Sequence, residues 1–180
     1  MLPNVIIELG NGNLGRVVLS DDGVAGMVLT GVLEGEFALN KVILLHSASD
    51  LAKLKVTAEK NPLLVQSVTE FYKGAQDGAM LYVMLVPATT TLKAMCDGAT
   101  SPVAKLIEAA NGKIRLVAIN KQPDKSYTPV IEKCLDKDAI DAVATMQKLA
   151  EDCQAKVMPF RALVPAYGWN GEVTVIHAPN

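Results

Sequence analysis

Residues 61–87 read NPLLVQSVTEFYKGAQDGAMLYVMLVP, and this stretch limits the chain to folds that lay a helix across a covered sheet. Leu64, Val65, Val68, Phe71 and Tyr72 recur at three- and four-residue spacing, which gives a helix one apolar face. Asn61 suits the cap of that helix and Pro62 the position just inside it. Gly74 is the expected stop, and Gly78 falls in the turn that follows. Residues 80–86 are then continuously apolar, the pattern of a strand covered on both faces.

The flanking segments extend the same alternation. Residues 24–32 (VAGMVLTGV) read as an apolar strand whose glycines permit close backbone approach. Residues 41–45 (KVILL) form another strand, followed by a short helix over DLAKLKV with Ser47 or Ser49 as its cap. Thr100, Ser101 and Pro102 open a helix through Val103, Leu106, Ile107 and Ala110, closed by Asn111 and Gly112. Residues 113–119 read as a strand and residues 120–129 (NKQPDKSYTP) as a polar loop. A last long helix spans residues 138–155, with Ile140, Val143, Ala144, Gln147, Leu149 and Ala150 near one face. Residues 157–164 are strand-like, at an edge or at a strand start because of Pro159. Short strands are also expected over residues 16–19 and 172–176. The expected fold is α/β: helices layered on a mixed, largely parallel sheet, entered by a β-rich extended N-terminal segment. The domain division is an extended arm over residues 1–20 and a single α/β domain over residues 21–180.

With 180 residues and 50% apolar content the chain can bury a full core, and at 4% aromatic content that core must be built from Val, Leu, Ile, Ala and Met. A formal charge of -2 supplies no cationic stripe, which argues against a partner that is nucleic acid. No apolar run approaches the roughly 20 residues that span a bilayer, and the first residues lack the pattern of a secretory signal. The expectation is a soluble protein made in a cytoplasm, with no membrane partner. Cys96, Cys134 and Cys153 are odd in number and widely spaced, as free thiols in a reducing compartment would be.

Gly10, Gly12 and Gly15 match G-x-G-x-x-G after a strand-like run, but RVVLSDDG follows where a dinucleotide site needs a helix. A flexible turn is the better reading, and no cofactor is expected. His46, Ser47 and Asp50 have triad chemistry but crowd into five residues, which suits a strand end entering a capped helix. His46 and His177 lack the carboxylate spacing of a metal site. Asp136, Asp138 and Asp141 complement the dipole of the last helix, and Lys121, Lys125 and Lys133 border the polar loop as solvated charges. No catalytic set emerges, and the chain reads as no enzyme. One candidate interaction element remains. Val5, Ile6, Ile7 and Leu9 make an apolar strand tethered by Gly10, Gly12 and Gly15, able to return to its own sheet or to join a neighbour's.

The order VIIELGNGNLG, then DDGVAGMVLTGVLEGEFALNKVILLHSASDLAKL, then VTEFYKGAQDGAMLYVMLV resembles tail sheath proteins of contractile phage tails, in a divergent prophage-type branch. The likeness rests on the strand and small-residue turn at residues 24–31, the Ser47 to Leu51 motif, and Phe71-Tyr72-Lys73-Gly74 before Leu81-Tyr82-Val83. Residues 144–164 extend it. It departs from the family where Lys73 and Ala75 flank Gly74, and in length, since sheath subunits are generally much longer. The chain is thus a short relative or the N-terminal part of a longer protein. The resemblance implies a structural subunit of the virion tail, made in the bacterial host cytoplasm. It would form homo-oligomeric rings around a tail tube, with tube or baseplate proteins as partners, and residues 5–9 would link subunits. The alternative is a small α/β enzyme or ligand-binding domain with its pocket at strand carboxyl ends.

Overall fold

The computed structural model describes residues 24–123 and 126–169. Their centre is β1 (Ala25–Gly31), flanked on both sides by parallel strands, β3 (Leu81–Pro87) and β4 (Leu116–Asn120). Beyond β3 lies β2 (Val42–Leu45), the one antiparallel member, and beyond β4 lies β7 (Arg161–Leu163). The sheet order is β2-β3-β1-β4-β7. Counting only the parallel strands, the second in sequence lies beside the first, and the third and fourth lie on its other side. This is a doubly wound arrangement whose strand direction of travel reverses between β1 and β4.

Side chains alternate across the strands and sort into two cores, one per face. Ala25, Leu29, Leu81, Val83 and Leu85 face α1 (Asp50–Lys53) and α2 (Pro62–Ala75), meeting Leu51, Leu64, Val68 and Tyr72. Val28, Met84, Val86, Val117 and Ile119 face α3 (Leu92–Cys96), α4 (Pro102–Ala109) and α5 (Lys137–Ala155). The fold is therefore the expected α/β one, with helices on both sides of a mostly parallel sheet. Helix α4 crosses β1 closely: a Cβ on Gly26 would stand 2.6 Å from Leu106 Cδ2.

Several local expectations are corrected. Gly74 does not stop α2; the helix runs through Ala75 and the chain turns at Gln76, whose φ is +65°. Asn61 precedes α2 but its side chain makes no cap bond to the helix. Helix α1 is likewise uncapped by Ser49. The short α3 was not expected after the threonine run, since five residues are too few to show a helical period. Thr91 caps it, its hydroxyl accepting from Ala94 N. The polar loop leads into an unforeseen hairpin, β5 (Ile131–Glu132) and β6 (Leu135–Asp136), which turns through Lys133 and Cys134, both at positive φ. On α5 the buried stripe is Ala139, Ala142, Met146, Leu149 and Cys153, whereas Val143 is 55% exposed. Of the residues expected on the apolar face only Leu149 is buried; Ala139, Ala142, Met146 and Cys153 complete the stripe at three- and four-residue spacing. The edge position of β7 agrees with expectation. The extended arm at residues 4–9 and the strands expected over residues 16–19 and 172–176 lie outside the described residues.

Candidate functional site

The sheet ends in two edges. Among the described residues β2 pairs only with β3, and β7 only with β4. Each leaves a row of backbone donors and acceptors facing outward, and Leu44 on β2 and Leu163 on β7 are exposed beside them. The candidate linking strand and hinge, Val5, Ile6, Ile7, Leu9, Gly10, Gly12 and Gly15, lie outside the described residues. What is described is the point where that segment enters the body. Val24 is buried and its carbonyl accepts from Arg115 N at 2.9 Å, so the chain enters at the amino end of the central strand.

The residues of HSASD do structural work. Asp50 Oδ2 accepts the amides of His46 (2.8 Å) and Ser47 (3.0 Å), and Oδ1 meets Lys53 Nζ at 2.6 Å. The Lys53 bond and then the His46 amide hold the Asp50 carboxyl down at about 2. It is an anchored turn between β2 and α1, as the strand-end reading expects.

Two polar nodes sit at the carboxyl ends of the strands. In the first, Asn61 receives Val32 N at 2.8 Å and donates to Val32 O at 3.1 Å and Glu34 Oε2 at 3.0 Å. Glu34 also accepts from Thr57 N (3.1 Å) and Thr57 Oγ1 (2.7 Å), and the Thr57 amide first of all lowers its carboxyl below the usual range. The expected helix cap is instead a tie between the β1 exit and the α2 entrance.

The second node overturns the expectation that Lys121 is solvated. Lys121 is 5% exposed; its Nζ lies 2.5 Å from Asp138 Oδ2 and 3.4 Å from Asp136 Oδ2, over the Tyr127 ring at 4.0 Å. The Tyr127 hydroxyl donates to Asp136 Oδ2. Asp138 also accepts the α3 amides of Leu92 (2.8 Å) and Lys93 (3.0 Å). Burial opposes the Asp138 charge, but Lys121 and these two amides outweigh it and leave the carboxyl below its ordinary range. Burial likewise opposes the Lys121 charge, and the bonds to Asp138 and Tyr127 outweigh it, raising the amine. Asp136 does cap α5, accepting from Asp138 N at 3.2 Å. Lys133 is exposed at the hairpin turn, and Lys125 lies outside the described residues. No signal near Lys121 marked its burial, because both carboxylates come from a different element.

Between and beside these nodes lie two clefts, of about 290 Å³ and 330 Å³. Thr30 closes the crevice between β1 and β4: its hydroxyl accepts Gln122 N at 2.7 Å and lies 3.3 Å from Gln122 O. Thr89, Thr90, Thr91 and Tyr127 line the larger cleft. Cys96, Cys134 and Cys153 are free thiols, and burial raises Cys96 to about 11 and Cys153 in the same direction. Among the described residues no group of three or more His, Cys, Asp or Glu is placed to hold a metal, and no helix is long and apolar enough to cross a membrane.

Residues 2–175 match the family model described as DUF2586, N-terminal domain. The chain belongs to the DUF2586 family. Among curated proteins, none matches the sequence. The match covers all of the described residues, including both sheet edges, both polar nodes and the entry at Val24.

Proposed function

We propose that this DUF2586 domain is a non-enzymatic structural subunit, resembling a contractile tail sheath, that assembles with copies of itself around a tail tube. The observation that carries the reading is the pair of sheet edges, unpaired among the described residues, on a three-layer body. Strand addition at such an edge ties subunits through backbone hydrogen bonds while each body moves as a unit. Residues 5–9 are the donor strand in this reading, and Gly10, Gly12 and Gly15 are its hinge. Its titratable groups support the same view, since Asp50, Glu34, Asp136 and Asp138 are all engaged in holding turns and helix ends. Tube or baseplate proteins are the expected partners in the virion tail, after synthesis in the bacterial host cytoplasm; nucleic acid and membrane are not.

Sedimentation velocity tests this. Removing residues 1–15 is expected to abolish oligomers and leave a folded monomer, and Leu163→Lys at the β7 edge is expected to weaken assembly. Assembly that persists unchanged in both variants would overturn the reading.

A second reading, a ligand-binding α/β domain or enzyme, is favoured by one observation. The two clefts lie at strand carboxyl ends near the β1/β4 reversal, where open α/β sheets bind ligands. A thermal-shift screen with nucleotides, metals and common metabolites separates the two, because a specific ligand stabilises the folded state by mass action.

A further inference from the structure

The Lys121 node gathers stretches of chain that are far apart in sequence. It takes Lys121 from the end of β4, Tyr127 from the polar loop, Asp136 and Asp138 from the start of α5, and Tyr167 from the segment after β7. The Tyr167 ring lies 4.9 Å from Lys121 Nζ and 6.1 Å from the Tyr127 ring. Its carbonyl accepts Asp136 N at 2.9 Å. Gly168 follows at φ +74°, so close that an added Cβ would stand 3.0 Å from Asp136 N and 3.1 Å from Ile131 Cδ1. Trp169 comes next and is 62% exposed.

A buried lysine between two carboxylates adds little net stability, because desolvation offsets most of the attraction. An apolar trio of similar volume would fill the space as well. What the polar node supplies is direction, since each bond accepts one geometry and its contacts reach Tyr167 in the segment after β7. We propose that the Lys121–Asp136–Asp138–Tyr127 node is a clamp that fixes the path of the chain after β7, at residues 167–169. The clamp operates in the isolated chain and does not depend on the assembly reading.

Trp169 is the only tryptophan of the chain, so its fluorescence anisotropy reports on this segment alone. Chymotrypsin cleavage at residues 167–169 reports on its opening, and amide exchange in β1 and β3 reports on the body. In Lys121→Met, Trp169 anisotropy is expected to fall and cleavage to accelerate about tenfold while β1 and β3 stay protected. Tyr167→Leu keeps the backbone bond to Asp136 and removes the ring over the ammonium, so Trp169 anisotropy is expected to fall and cleavage after Trp169 to accelerate about threefold. Unchanged anisotropy and cleavage in a folded Lys121→Met chain would overturn the clamp. Should that variant fail to fold, unchanged values in Tyr167→Leu overturn it instead. Cleavage that rises only in step with exchange in β1 and β3 also overturns it, because the segment would then open only with the whole fold.

Discussion

Asn61 stands where a helix cap is expected, yet its amide turns away from α2 and bonds Val32 and Glu34. The residue type carried a true signal, a polar side chain next to a helix start, but its partner was set by the tertiary fold. Asn61 is 1% exposed, so Asn61→Ala leaves Val32 N and Glu34 each one buried partner short. A loss of about 2–3 kcal/mol is expected in urea denaturation. Asp50 makes a prediction in pH. Its folded carboxyl sits at about 2 against an ordinary 3.8, so its contribution is present above 3.8 and lost as pH falls toward 2. Wild type should exceed Asp50→Asn in stability at about pH 6, and the two urea curves should converge on acidification. A difference that persists at the acid end would show that the Asp50 charge is not its source. Lys121 was the residue least legible in advance, because a lysine beside a polar loop carries no local mark of burial.

Elements were legible in proportion to their length and to the contrast of their apolar pattern. Helix α2 and strand β3 stand almost where residues 61–87 placed them. The one-turn α3 and the two-residue strands β5 and β6 left too few residues to form a pattern. Helix α5 stands where expected, but of its expected face only Leu149 is buried, and this gives a direct test by chemical denaturation. Met146→Ala is expected to cost about 2–4 kcal/mol, since Met146 is buried against the sheet. Val143→Glu is expected to change stability by no more than about 0.5 kcal/mol. The reverse ranking would restore the face that the sequence suggested. At the β1–α4 contact, Gly26→Ala must displace the buried Leu106 side chain, and about 1–3 kcal/mol of destabilisation is expected.

At the scale of the whole molecule, the body described by residues 24–123 and 126–169 holds two separate cores on either side of one sheet. With a core on each face of the sheet among the described residues, removing residues 1–15 is expected to leave a cooperative thermal transition, followed by circular dichroism, even where assembly is lost. A chain that unfolds on this truncation would show that the segment belongs to the body. The candidate linking strand is an expectation from an apolar run ahead of a glycine-rich tether and lies outside the described residues, while the sheet edges that would receive it appear only in the folded arrangement.

The amino-acid sequence by itself determined that alternating helices and buried strands build an α/β domain, because hydrophobic period and turn chemistry are recorded within each short segment. Tertiary structure alone decided that β1 lies between β3 and β4, that Asn61 ties two loops together, and that Lys121 is buried between Asp136 and Asp138. Those outcomes depend on which distant residues meet. Hydrogen-bond and charge partners are chosen by the packing of whole elements, and no local pattern encodes them.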